Sequence, residues 1–217
     1  MTVYVSMLRG VNVGGNALVG MADLKRLYES LGLRDVRTLL NSGNVVFRSS
    51  VQGRAQLTKR LVQEIERRFN RQTEVLLRTL PELAMLVERG PTLTQRQEPS
   101  KLLVMFLSGV PDKRAQAALI KAHRGPELIE IRGPEIYLYY PDGVGRSKLT
   151  NAFIEAHLGV SGTARNWNTI RKLIETGESL EGGGPQAAAG AQSRGPAAGA
   201  GQPASKGKGR TSVLKVR

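Results

Sequence analysis

The chain has 217 residues, 40% of them hydrophobic, with 32 Lys+Arg against 18 Asp+Glu for a formal net charge of +14. That length suits one ordinary domain or two small ones, and no apolar run approaches the roughly 20 residues a membrane span needs. Cysteine is absent, which excludes disulfides, thiolate catalysis and zinc–sulfur sites.

The start lacks the basic region, apolar block and small-residue cleavage site of a secretory signal, so the cytoplasm is the expected compartment. From Glu178 onward six basic and two acidic residues give +4, which leaves +10 for the body of the chain. Such a field favours phosphate-bearing partners, nucleic acid first. A soluble protein from an arginine-rich lineage would show the same balance.

In chain order, residues 3 to 8 form an apolar strand. A loop with three glycines follows, Arg9-Gly10-Val11-Asn12-Val13-Gly14-Gly15-Asn16. Met21, Leu24, Leu27, Tyr28 and Leu31 then recur at helical spacing, with Gly32 as the stop. Val36 to Leu40 and Val45 to Phe47 are strands around Asn41-Ser42-Gly43-Asn44, a tight hairpin signal because Asn and Gly adopt positive φ at little cost. A long helix carries Leu57, Leu61, Ile65 and Phe69 on one stripe, and Glu74 to Arg78 is a fourth strand. This β-α-β-β-α-β order is the split ferredoxin-like unit.

Thr79 and Glu82 form a capping box for a short helix that stops at Gly90-Pro91, and Thr92 to Ser100 is a polar linker. The pattern then restarts. Leu102 to Leu107 is a strand, Asp112 caps a helix with Ala115, Ala118, Leu119 and Ala122, and Leu128 to Arg132 and Ile136 to Tyr140 flank a Gly133-Pro134 turn. Ser147 opens a helix with Leu149, Phe153 and Leu158 that Gly159 closes, and a last helix runs from about Asn168 to Thr176 and ends at Gly177. The second half thus reads β-α-β-β-α, with a helix where a closing strand belongs. The predicted fold is α+β: two tandem ferredoxin-like halves with antiparallel sheets, residues 1–91 and 101–177. Residues 178–217 form a tail; the stretch from 182 to 205, nearly all Gly, Ala, Gln, Pro and Ser, is predicted to be disordered because it cannot bury enough apolar surface to offset backbone entropy. Its basic end, Lys206 to Arg217, is either a nonspecific nucleic-acid tether or dispensable.

The opening loop resembles two phosphate motifs and matches neither. Gly10 and Gly15 have P-loop spacing, but Asn16 and Ala17 stand where Lys and Ser/Thr are required; without them the γ-phosphate contact and the magnesium ligand are missing. The dinucleotide glycine pattern is broken at Asn12. An anion- or backbone-reading loop flanked by Arg9 survives, about a dozen residues long against the four of Ser108-Gly109-Val110-Pro111 in the second half, and long loops in compact domains are often functional. A tight connection needing positive φ at Gly14 and Gly15 would look the same.

Two further groups stand out. Arg146 and Lys148 flank Ser147 at a predicted helix start, where cations are disfavoured unless an anion sits there. Arg165-Asn166-Trp167-Asn168-Thr169 places the only tryptophan among amides beside an arginine, the chemistry of base stacking and edge reading; a core tryptophan pinning the final helix, capped by Asn166 or Asn168, fits equally. His123 and His157 each lie on a predicted helix with neither a carboxylate nor a serine nucleophile motif beside them, metal-ligand spacing is missing, and no cofactor is implied.

Leu8-Arg9-Gly10-Val11-Asn12-Val13-Gly14-Gly15, Asn41-Ser42-Gly43-Asn44-Val45-Val46-Phe47, Ser147-Lys148-Leu149-Thr150 and Arg165-Asn166-Trp167-Asn168-Thr169 occur in that order. In these four motifs the chain resembles the bacterial domain-of-unknown-function family 1697, over about residues 1 to 177, with Val11 where that family tends to have Ile. The resemblance implies a pair of ferredoxin-like subdomains and no activity. All four motifs fall at strand ends, turns or helix starts, where packing demands least of residue identity, so they point to a ligand surface. The expected site is one cleft in which Arg9, Lys148 and Arg165 neutralise phosphate, Gly14 and Gly15 approach it closely, Asn12, Asn16, Ser42, Asn44, Ser147, Asn166 and Asn168 supply hydrogen bonds, and Trp167 stacks or supports. Nucleic acid is the first ligand. The alternatives are an enzyme or sensor acting on a small phosphorylated or nucleotide ligand, and a protein-interaction module without a ligand site.

Overall fold

The computed structural model describes residues 1–12, 19–51, 53–93 and 98–182; the basic tail expected from the sequence, and Gly14, Gly15 and Asn16 of the opening loop, lie outside them. The described chain is mixed α and β, with two four-stranded antiparallel sheets and six helices. The first sheet holds β1 (Thr2–Leu8), β2 (Arg34–Leu39), β3 (Asn44–Ser49) and β4 (Val75–Thr79) in the order β2-β3-β1-β4. The second holds β5 (Leu102–Leu107), β6 (Leu128–Arg132), β7 (Glu135–Tyr139) and β8 (Gly162–Asn166) in the order β6-β7-β5-β8.

Apolar stripes seat the helices. Leu24, Leu27 and Tyr28 of α1 (Met21–Ser30) and Leu57, Leu61 and Ile65 of α2 (Arg54–Phe69) bury against Tyr4, Leu8, Phe47 and Leu77 on one face of the first sheet. Leu119 of α4 (Lys113–Ala122) and Ile154 and Leu158 of α5 (Asn151–Leu158) do the same on the second, against Met105, Ile136 and Leu138. The opposite faces of the two sheets share one core. Val3, Val5 and Met7 of β1 and Val104 and Phe106 of β5 enclose Leu83 of α3 (Leu80–Arg89) and Trp167, Ile170 and Leu173 of α6 (Trp167–Gly182) with it. Two separately folded layers would not bury residues of both halves in one cluster.

Local chemistry sets the helix starts. The Thr79 hydroxyl accepts from Glu82 N at 3.4 Å while the Glu82 carboxylate accepts from Thr79 N at 2.7 Å, the reciprocal capping box. Asp112 caps α4 by accepting from Ala115 N at 2.8 Å.

Three features depart from the sequence reading. First, a strand closes the second half: β8 pairs antiparallel with β5, so both halves run β-α-β-β-α-β. Gly-Thr-Ala-Arg-Asn carries no alternating apolar signal; tertiary context makes it a strand, since a Cβ on Gly162 would stand 2.7 Å from Phe106 O. Second, Ser147 does not open a helix. It follows a 3₁₀ turn at Val144–Arg146, and α5 begins at Asn151 with Thr150 accepting from Phe153 N at 3.2 Å. Third, Gly177 does not end the last helix, which runs on to Gly182. That glycine is a close-packing position, because a Cβ there would stand 2.7 Å from Leu80 Cδ1.

A candidate cleft between the two sheets

Gly43 turns the β2–β3 hairpin with φ +72, and a Cβ there would meet Val11 Cγ2 at 2.5 Å, so the hairpin and the opening loop fit only around a glycine. Asn12 fastens that loop at its base. Its Nδ2 donates to Asn41 O at 2.7 Å and Val19 O at 3.2 Å, and its Oδ1 accepts from Val19 N at 2.9 Å.

Asn44 is fully buried and Arg165 is 7% exposed. Arg165 Nε donates to Asn44 Oδ1 at 2.5 Å, Nη2 to Leu8 O at 2.9 Å and Ser42 O at 3.0 Å, and Nη1 to Thr163 Oγ1 at 2.7 Å and Ala164 O at 2.9 Å. Asn44 Nδ2 donates to Ser42 Oγ at 2.8 Å and Leu39 O at 3.1 Å. Burial pushes the Arg165 pKa down to about 10, so it is still a cation at neutral pH, solvated by protein oxygens rather than by water.

Arg9 is partly exposed and bridges the halves. It donates to Glu155 Oε2 at 2.6 Å and Gly162 O at 3.2 Å, and the hydrogen bond with Glu155 raises its pKa. Asn166 Nδ2 donates to Ser100 O at 2.7 Å, and its Oδ1 accepts from Asn168 N at 3.0 Å, the cap of α6. Trp167 is 8% exposed in the shared core, its ring 6.3 Å from Tyr137. Ser147 lies elsewhere, donating to Glu127 and accepting from Leu149 N at 2.9 Å, and Lys148 is exposed.

The structure therefore gathers Arg9, Asn12, Ser42, Asn44 and Arg165 at the junction of the halves, where each of their hydrogen bonds named above goes to a protein group. Trp167, Asn166 and Asn168 begin α6, and Ser147 and Lys148 belong to a second cluster. In that cluster the Glu127 carboxylate meets the Ser147 hydroxyl, and His123 Nε2 stands 3.5 Å from Glu127 Oε2. A nucleophile relay needs the imidazole next to the hydroxyl, and here the order is reversed. Among the described residues no group of three or more His, Asp or Glu is placed to hold a metal ion.

A cleft of about 820 Å³ opens instead along β4, between α2, α3 and the β6–β7 turn. Arg54, Arg78, Arg89 and Arg132 line it with Glu74, Glu82 and Glu135, and Leu76, Leu83, Leu86, Leu107 and Tyr137 give it apolar walls. Arg78 is 7% exposed, lies 5.3 Å from the Phe106 ring centroid, and donates from Nε to Glu135 Oε1 at 2.8 Å and from Nη1 to Leu77 O at 3.0 Å. Its Nη2 is buried without a partner; among the described residues only Arg48 Nε shares that condition, and Arg48 does not line the cleft. The sequence reading passed over Arg78 as the end of a strand. The available signal was a cation in the otherwise apolar run Val75-Leu76-Leu77-Arg78, since arginine is rarely buried without a purpose.

A solved structure of a conserved bacterial protein from Streptococcus pneumoniae is similar, with TM-score 0.64 at 22% identity over 81% of this chain and 98% of that one. At that identity the likeness is one of fold. No curated protein matches the chain. A family model matches residues 1–137, more than half of the sequence, and the chain belongs to that family, described as a protein of unknown function (DUF1697).

Proposed function

We propose that the chain is a ligand-binding protein whose site is the cleft along β4, and that its ligand carries an acidic oxygen group, phosphate or carboxylate. The observation that carries this is Arg78 Nη2, a buried donor without a partner on the wall of an 820 Å³ space. A buried donor left unmade costs roughly 1–3 kcal/mol, and a concave apolar space with a few convergent polar groups is the usual form of a small-molecule site. Binding is favoured over acid–base catalysis because each carboxylate in the cleft is engaged. Glu82 is held by Arg54 and the capping box, Glu135 by Arg78, and Glu74 by the Ser161 hydroxyl at 2.8 Å. Within this reading each half is a ferredoxin-like unit, supported by the shared β-α-β-β-α-β order and strand arrangement.

Thermal-shift titration with phosphorylated and carboxylated small molecules tests the proposal. A true ligand at 100 times its Kd adds about 2.7 kcal/mol, a saturable rise in Tm; a panel covering both classes without such a rise overturns the reading. A second reading, nucleic acid on the basic surface, rests on the net charge of +14. It requires an affinity for a labelled oligonucleotide that falls steeply with salt, and a flat salt response excludes it.

A further inference from the structure

The two halves each plant one buried arginine at the same place. Arg78 is the fourth residue of β4 and Arg165 the fourth of β8. Arg78 is registered with Val5 as Arg165 is with Val104, and Val5 is registered with Val46 as Val104 is with Tyr137. Each guanidinium crosses to the other half and meets the first residue of its third strand: Arg78 Nε donates to Glu135 at 2.8 Å and Arg165 Nε to Asn44 at 2.5 Å. Each Nη1 donates to the carbonyl of the preceding residue, Leu77 at 3.0 Å and Ala164 at 2.9 Å.

The correspondence breaks at Nη2. In Arg165 that nitrogen donates to Leu8 O and Ser42 O. Leu8 N donates to Gly43 O at 2.9 Å as Leu107 N donates to Pro134 O at 2.8 Å, so the matching carbonyls in the other half belong to Leu107 and Gly133. Both residues line the cleft, yet Arg78 Nη2 donates to neither and is buried without a partner. One end of the junction is closed on backbone oxygens, and at the other the same nitrogen is buried without an acceptor in a residue that lines the cleft.

We propose that this unpaired Arg78 fork anchors a monoanionic carboxylate with an apolar body, whose oxygens supply the acceptors that Leu8 O and Ser42 O supply at the closed end. The inference rests on the cleft reading above and adds the ligand class. Arg54 is paired with Glu82, Arg78 with Glu135 and Arg132 with Glu130, so among the described residues Arg89 is the lining arginine without an ion pair, and a monoanion meets that single free charge. A phosphate dianion would bring a second charge among three carboxylates, and like charges in a partly buried space repel strongly. Leu76, Leu83, Leu86, Leu107 and Tyr137 then receive the apolar body.

The test uses the full chain and a series of straight-chain carboxylates from acetate to octanoate, with octanamide, octyl phosphate and inorganic phosphate as comparators. Calorimetry should show affinity rising roughly fourfold per buried methylene. Octanamide should bind about tenfold or more weaker, as loss of a charge-assisted hydrogen bond implies. Addition of octanoate should shift the Arg78 side-chain Nε–H resonance in a ¹H–¹⁵N spectrum. Arg78→Lys, which keeps the charge and loses Nη2, should weaken octanoate by about tenfold or more. Met85→Trp, at an exposed position lining the cleft, should abolish binding with Arg78 intact, so the proposal stays testable if Arg78→Lys fails to fold. Saturable binding of octyl phosphate without octanoate overturns the carboxylate assignment and leaves the cleft reading standing. Octanoate binding that survives Met85→Trp, or that leaves the Arg78 resonance unmoved, overturns the anchor. No binding by any member overturns the inference, and the cleft reading then stands or falls by the broader thermal-shift panel above.

Discussion

Arg165 of β8 reaches Asn44 at the start of β3, Nε donating to Oδ1 at 2.5 Å, and this contact ties two sheets that share no ladder. Asn44→Ala leaves a buried guanidinium short of an acceptor. A hydrogen bond to a charged group contributes about 1.5–3 kcal/mol, so the substitution should lower stability by that amount. In urea the midpoint should fall with the slope unchanged; a midpoint within error of wild type would show that the Arg165–Asn44 contact does not stabilise the fold.

Arg9 marks the contrast. Its pairing with Glu155 leaves the side chain 43% exposed, and exposed ion pairs contribute about 0.2–1 kcal/mol. Arg9→Ala should therefore cost less than about 1 kcal/mol, and the cost should shrink further in high salt. A larger, salt-independent loss would mean that its donation to Gly162 O matters more than the charge.

Two glycines should respond differently to a single methyl group. At Gly162 the added Cβ would meet the Phe106 backbone at 2.7 Å, and at Gly177 the end of the Leu80 side chain at 2.7 Å. Overpacking costs about 1–3 kcal/mol. Gly162→Ala should fall at the upper end because a ladder backbone cannot move aside, and Gly177→Ala lower because Leu80 can change rotamer. Thermal melts of the two variants give the order, and a reversed order contradicts this account.

Trp167 is the sole tryptophan, so intrinsic fluorescence reports one site. Buried against Tyr137, it should show blue-shifted emission and weak acrylamide quenching, and single-stranded oligonucleotides should leave its intensity unchanged. Quenching by an oligonucleotide would restore the stacking role that its sequence context suggests.

Alkali should unfold the protein. Burial pushes the Tyr140 phenol up to about 12 and holds Tyr28 and Tyr137 above their ordinary value too. An unfolded chain releases these protons near pH 10, while the folded one retains them. The native state then binds more protons, so stability is intact below about pH 10 and declines as pH rises through the folded values. Arg165, lowered by burial to about 10, works in the opposite direction as one group against three. Urea midpoints should hold steady from neutrality to about pH 9 and fall beyond about pH 10; a flat profile there would contradict the burial of these phenols.

Much of the fold was legible because short-range rules governed it. Thr79 with Glu82 and Asp112 with Ala115 N are caps that a four-residue window contains, and the stripes of α1 and α2 follow helical spacing. β8 was not legible. Gly162 to Asn166 become a strand only because β5 offers them a ladder, a condition more than fifty residues away in sequence. The motif residues were legible as unusual and not as to purpose. Arg165, Asn44 and Asn12 stand out by type, but an arginine that solvates itself on carbonyl oxygens and one that awaits a ligand look alike in one dimension. Arg78 was overlooked because its neighbours are those of an ordinary strand.

The last helix bears on how the molecule is made. Ile170, Leu173 and Leu180 of α6 cover Val3, Val5 and Met7 of β1, and Arg37 of β2 donates to Ser179 at 2.8 Å. β1 thus waits for a helix that begins about 160 residues later in the chain to cover its inner face. Translation proceeds at about 5–20 residues per second, so for several seconds the nascent chain exposes an apolar sheet surface. Stalling or truncation before α6 should make it a chaperone client rather than a stable half.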